Sequence, residues 1–230
     1  GSESAHVGPN SIQTPLIIIR LSLPHSIMAF RDHLAGAFIP SDSVSCIHGL
    51  FDLSVQRGHD LIVSDVTETP GHSAAMNVLS RDRLCSRLNV GPDELIDILG
   101  WAMNNPQALN TVTSGPVLEN TQQSVSLSKL PIPHHYREDL GRYMSASIVI
   151  AQYDGQRNVS FHRQLLRDDN HVVARLVPRH LRTMLDNARE NGETIPIAIV
   201  NGCDPVVLLA AAMSFEQHID ELTVASSLHE

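Results

Sequence analysis

Three residues far apart in the chain carry donors that suit one kind of chemistry. Asn158 offers an amide oxygen, His180 an imidazole and Glu221 a carboxylate. Together they would suit a hard or borderline divalent ion such as Mn²⁺ or Mg²⁺. Each also has a structural reading. Asn158 follows a turn and could satisfy a backbone group, His180 opens a helix, and Glu221 lies on a polar helix face. Spacing alone does not show that they converge. Arg163 follows Phe161 in an alternating stretch, so the two share a side of the strand. A guanidinium on a core-facing position needs an anionic partner, whether a protein carboxylate or a ligand. By the same alternation Asn158 and Arg163 face opposite sides, and a bulge or a strand end must re-aim one of them if both serve one site. Arg175 and Arg179 add positive charge near the next strand end, as a phosphate clamp or as solvated charges. "NGCDPVVLL" places a strand, a Gly turn and a helix N-terminus in sequence, which any α/β loop could do and which could also receive an anion.

These side chains need elements to position them. "SASIVIAQYDGQRNVSFHRQLL" reads as a β-hairpin turning at Asp154-Gly155, and "HVVARLV" as a third strand. "RHLRTMLDNAREN" reads as a helix closed by Gly192, and "IPIAIVNG" as a buried strand. "CDPVVLLAAAM" is a helix with Asp204 as N-cap and Pro205 at its first position, and "HIDELTVASSL" begins another. Upstream, a helix is expected over 29–35, a short strand over 61–63, and a helix with apolar spacing at Leu84 and Leu88. "GPDELIDILGWAMNNP" should be helical with Pro92 in its first turn. "SKLPIPHHYREDLGRY" separates the halves as an extended linker.

The chain has 230 residues, 42% of them hydrophobic, and a net charge of -9. A sizeable core is expected and wholesale disorder is not. The acidic balance and the lack of long basic clusters argue against nucleic acid as partner. The three cysteines form no CxxC pair, so neither a zinc ribbon nor a disulfide framework is implied, and reduced cytosolic thiols are expected. No apolar run reaches membrane-spanning length. The run "PLIIIRLSL" is short, broken by Arg20 and without a basic flank, so it does not read as a convincing signal peptide. Residues 1–27 read as a tag-like or disordered segment, with Met28 as a native start.

Taken in order, the motifs resemble the UbiD family of decarboxylases. "SRDRLCSRLNV" is similar to the family's "gSreRla.aLG" segment. The likeness strengthens at "GPVLEN" and "LSKLPIPHHYREDLGRYMSASIVIAQYDGQRNVSFHR", and continues through "PRH", "IPIAIVNGCDPVVLLAAAMS" and "DELTVASSL". It covers roughly residues 75–230. The resemblance implies an α+β fold: an N-terminal α/β domain over 28–128, then a split β-barrel of the flavin-reductase-like FMN-binding type over 129–230. It implies prenylated FMN, held through its phosphate by Mn²⁺ and K⁺, and decarboxylation of an unsaturated or aromatic carboxylic acid. Two substrates are implied equally: a 4-hydroxy-3-polyprenylbenzoate and an isoprenoid-pathway enoic acid phosphate. By position, Asn158, His180 and Glu221 match the metal ligands and Arg163 the catalytic Arg. Phe161, His162, Arg163, Arg175, Leu176 and Val177 match cofactor-contacting positions. Ala210, Ala211 and Met213 match the backbone around K⁺. A flavin prenyltransferase would supply the cofactor, and a cytoplasmic homo-oligomer is expected. The family pattern continues with a segment resembling "NDLxVPAxAEIVLEG", which carries the proton donor. This sequence stops at "SSLHE", so a fragment or one piece of a split protein is expected, incomplete as a barrel. A flavin-binding or assembly module without turnover, and a purely structural α/β protein, stand as the other readings.

Overall fold

The computed structural model describes residues 30–114, 121, 124–216 and 219–228. The expectations placed on 1–27 and on "GPVLEN" lie outside these residues. The described residues open with a short helix α1 (Phe30–His33), followed by α2 (Gly49–Arg57). Next comes an antiparallel hairpin of β1 (Ile62–Asp65) and β2 (Ser73–Met76). Its connection turns at Pro70-Gly71, where Gly71 has φ 85° and the His72 N–H donates to the Thr69 carbonyl. Proline supplies the first central φ of that turn and glycine the positive second one. Two parallel bridges, Phe38 to Ile62 and Val44 to Val66, tie the preceding loop to this hairpin.

The sequence reading missed α2 for a local reason. The helix starts from His48 at φ 67° with no side-chain cap, and only Leu50 is buried, while Val55 is 65% exposed. Neither a cap nor a clear apolar stripe marks it. Helix α3 (Arg81–Leu88) carries the signals that α2 lacks. Its cap Ser80 accepts from the Arg83 N–H, and Asn89 closes it in the left-handed region. Helix α4 spans Leu95–Asn104. Pro92 lies in the turn before it rather than in its first turn, and Glu94 accepts from the Gly91 N–H across that turn. The extended linker is pinned by Arg142, whose guanidinium donates to the carbonyls of Ile132, Ser128 and Leu130.

The second half holds two three-stranded sheets. One has the order β3-β6-β7, from Tyr143–Met144, Gln164–Leu166 and Val172–Ala174. The other has the order β5-β4-β8, all antiparallel, from Gln156–Phe161, Ile148–Tyr153 and Ile197–Val200. Asp154 and Gly155 both have positive φ, 49° and 73°, which is the two-residue hairpin turn that Asp-Gly favours. Neither sheet closes on itself. Helices α5 (His180–Glu190), α6 (Pro205–Ala212) and α7 (Glu221–Ser227) complete the fold.

Alternation along β4 sorts the core. Ile148, Val159 and Val200 pack with Cys203, Leu208 and Ala211 of the α6 region, and Phe161 joins them. On the opposite face Val149 and Ala151 pack with Leu181 of α5. The first half reaches the second through α4, whose Ala102 is buried with Val206 of α6 and with Val224 and Leu228 at the α7 end. All three cysteines are buried and free.

Candidate functional site

β5 is an edge strand, so alternate backbone N–H groups point away from β4 and need other acceptors. The N–H of Val159 finds one in Glu221, at 2.9 Å from Oε2. The other carboxylate oxygen accepts from Asn158 Nδ2 at 3.0 Å. Glu221 reaches the strand because it opens α7. Asp220 caps that helix through its bond from the Leu222 N–H and forms an ion pair with Arg157 of β5 at 2.9 Å. Two consecutive acidic residues thus grip three consecutive strand residues, Arg157, Asn158 and Val159.

Asn158 and Glu221 are each 4% exposed. No Lys, Arg or His forms an ion pair with Glu221 among the described residues. Its carboxyl is pushed above the ordinary value, first by burial, with a smaller push from Asp220. Hydrogen bonds from its own backbone, from Val159 and from Asn158 oppose the shift. A buried carboxylate with neutral donors and no counter-charge is a costly arrangement.

That cost has a measurable sign. The unfolded chain gives up the Glu221 proton at lower pH than the folded chain does. The contribution is therefore whole below the ordinary value of 4.5 and is lost as pH rises through the raised folded value. In EDTA, the denaturation midpoint of wild type should fall relative to that of Glu221→Gln over the window that opens as pH rises above 4.5. A constant difference between the two proteins across that window would contradict this account.

The remaining sequence candidates divide. Val149 pairs with Ser160 and Ala151 with Asn158, so Asn158 and Ser160 lie on the face that α5 covers. His180 is the first residue of α5, half-buried, and it makes no ion pair or hydrogen bond to Asn158 or Glu221. Arg163 is not core-facing. β5 ends at Phe161 and β6 begins at Gln164, so Arg163 sits in the break between them, exposed and without a protein carboxylate among the described residues. Strict alternation with Asn158 therefore does not extend to Arg163. Phe161 packs against the core, and Arg175 is exposed just past β7. Leu176 packs against the α5 face of the sheet, whereas Val177 is 45% exposed. Arg179 precedes α5 and donates to Ser214 Oγ at 3.3 Å. Ala210 and Ala211 are buried in α6, and Met213 caps it, its N–H donating to the Ala210 and Leu209 carbonyls.

One residue escaped the sequence reading. Ser160 Oγ lies 3.0 Å from Asn158 Oδ1 and 2.9 Å from His162 Nε2. The signal was present, since Asn158, Ser160 and His162 recur at the strand period of two. The His162 ring is pushed toward its neutral form by burial, while the Arg175 backbone favours the charged form.

The donor set fits a hard divalent cation: an amide and an uncompensated carboxylate, both buried. Among the described residues no group of three or more His, Cys, Asp or Glu is gathered for a metal. The pair observed has one such residue, Glu221, beside the amide.

The fold is that of UbiD-class enzymes. It superposes on the UbiD-class enzyme HmfF from Pelotomaculum thermopropionicum, in a structure with FMN, with a TM-score of 0.82 and 27% identity, over 86% of this chain and 48% of that one. A vanillic acid decarboxylase from Sedimentibacter hydroxybenzoicus shares the fold at 18% identity and TM-score 0.78, over 86% of this chain and 48% of that one. The family model of the 3-octaprenyl-4-hydroxybenzoate carboxy-lyase Rift-related domain matches residues 110–230. The chain belongs to the UbiD family. It is 34% identical over 199 residues to an anhydromevalonate phosphate decarboxylase of Methanothermobacter thermautotrophicus, 84% of this chain and 46% of that protein. A Methanosarcina mazei protein of the same name is 40% identical over 144 residues, 62% of this chain and 34% of that protein. The chain thus spans less than half the length of these curated relatives.

Proposed function

We propose that this chain forms the cofactor- and metal-holding part of a UbiD-type carboxy-lyase, which removes CO₂ from an unsaturated or aromatic carboxylic acid. The observation that carries the reading is the buried Glu221–Asn158 pair, a carboxylate without counter-ion in a chain of this family. On this reading Asn158, Glu221 and His180 hold Mn²⁺, and the backbone at Ala210, Ala211 and Met213 holds K⁺. Phe161, His162, Arg175, Leu176 and Val177 border the cofactor in a barrel of the split, flavin-reductase-like type. Bound prenylated FMN supplies the centre that takes up the electron pair left when CO₂ departs. Arg163 orients the substrate carboxylate, because a guanidinium offers it two parallel donors. The α5 and α6 cores on the two faces of the sheet keep Asn158 and Glu221 away from water, which strengthens each polar contact there.

An enoic acid phosphate is the first substrate to try, since relatives named anhydromevalonate phosphate decarboxylase recur among the similar proteins. A flavin prenyltransferase would furnish the cofactor, and copies of the chain would assemble in the cytoplasm. No helix among the described residues is long and apolar enough to cross a membrane.

Co-expression with a flavin prenyltransferase tests this. The purified protein should absorb in the near-UV and visible and contain manganese, and the assembled enzyme should release CO₂ from the right acid. A colourless, metal-free protein would overturn the reading. Pigment and metal without CO₂ from any acid offered would favour a flavin-binding or assembly module instead.

A further inference from the structure

Asn158, Ser160 and His162 place an amide, a hydroxyl and an imidazole in a row along one face of β5 and just past its end. The hydroxyl has one proton to give. In the arrangement observed it goes to Asn158 Oδ1, so the Ser160–His162 contact requires a proton on His162 Nε2. The amide then keeps its NH₂ toward Glu221 Oε1. A second arrangement satisfies the same row in reverse. The amide turns over, its NH₂ donates to Ser160 Oγ, and the hydroxyl donates to an unprotonated His162 Nε2. The amide oxygen now faces the Glu221 carboxylate. Two oxygens side by side repel each other, and a cation between them removes that repulsion.

We propose that Ser160, backed by His162, is the positioning residue that decides which end of the Asn158 amide faces Glu221, and thereby sets the affinity of that pair for a divalent cation. The inference rests on the metal-holding role assigned above to Asn158 and Glu221. Ser160 can do this because its hydroxyl both donates and accepts, so it serves either direction of the row. Alanine can serve neither. Without Ser160, an amide turned toward a cation leaves its NH₂ with no acceptor inside a buried site, whereas the metal-free form leaves one lone pair of Oδ1 unmatched, so the larger loss falls on the cation-bound form. A serine that merely fills a strand position predicts no such selectivity.

The test is Mn²⁺ binding to the 230-residue chain, followed by calorimetry or by the signal of free Mn²⁺ in electron paramagnetic resonance. Wild type is compared with Asn158→Ala, Ser160→Ala and Ser160→Thr. Ser160→Ala should weaken Mn²⁺ about 10–100-fold, the range of lost outer-shell partners, with its metal-free melting temperature close to wild type. Ser160→Thr keeps the hydroxyl and should bind within about threefold of wild type on the same scale. Asn158→Ala should bind more weakly still. If Ser160→Ala binds like wild type while Asn158→Ala does not, the inference falls and the ligand assignment stands. Equal weakening in the Ala and Thr variants also overturns it, since the hydroxyl would not be the cause. Wild type and Asn158→Ala that are alike indifferent to Mn²⁺ would remove the ligand assignment itself and the inference with it.

Discussion

Arg163→Ala is expected to leave the cofactor bound and to cut decarboxylation by about 10³-fold or more, the scale of losing a charged group that acts on the reacting centre. Two features of Arg163 support so large an effect. It stands in the break between β5 and β6, where it is exposed. It also has no carboxylate partner among the described residues, unlike Arg87, Arg157 and Arg182. Its charge is therefore available to a ligand, and little of the fold depends on it. Arg163→Lys should recover only part of the rate, because an ammonium offers no planar pair of donors to a carboxylate. The measurement is CO₂ release by the assembled enzyme, at cofactor occupancy matched by visible absorbance. Turnover within tenfold of wild type would dismiss the assigned role. Loss of pigment in the Ala variant would move Arg163 from substrate to cofactor binding.

The second large effect concerns stability. Arg87→Met should destabilise the fold by about 3 kcal/mol or more, the cost of leaving one partner of a buried pair behind. Arg87 Nε and Nη2 lie 3.2 and 2.8 Å from Asp204 Oδ2, and both side chains are 7% exposed. This contact ties α3 to the N-terminus of α6. Asp204 also caps α6 through the Val206 N–H at 2.9 Å. Removing Arg87 leaves a carboxylate with the cap bond and the helix dipole as its only compensation. In a chain of this size the melting temperature should fall by roughly 6–12 °C. Adding Asp204→Asn to Arg87→Met should restore much of the loss, because the amide can still cap the helix but brings no buried charge. Urea midpoints of the two single variants and the double variant give the coupling directly. A loss under about 1 kcal/mol for Arg87→Met would place the pair with surface ion pairs.

The contrast between Asp204 and Glu221 bears on function. Both are buried carboxylates that bond a backbone N–H, and both belong to α6 or α7 or their caps. Asp204 has its guanidinium. Glu221 has an amide and an N–H, and no ion-pair partner among the described residues. The contrast agrees with the proposal that Asp204 is structural and Glu221 a metal ligand.

Much of this protein was legible along the chain. Asp154-Gly155 marked the hairpin, Asp204-Pro205 marked the start of α6, and the spacing of Leu84 and Leu88 marked α3, because turns, caps and helical periods are written in a few neighbouring residues. The donors Asn158 and Glu221 could be picked out by type and through the family resemblance. Their meeting could not, since they are far apart in sequence and join only when α7 packs beside the outer edge of β5. The same holds for the exposure of Arg163, which follows from where pairing with β4 stops, and for α2, which carries no cap or apolar stripe to announce it. Ser160 was visible as one beat of an alternating strand, but its two hydrogen bonds exist only once β5 has an edge and a face. Local signals determined the elements; register, strand ends and the packing of α5, α6 and α7 decided which polar atoms were buried together, because burial and pairing are properties of surfaces brought together from distant parts of the chain.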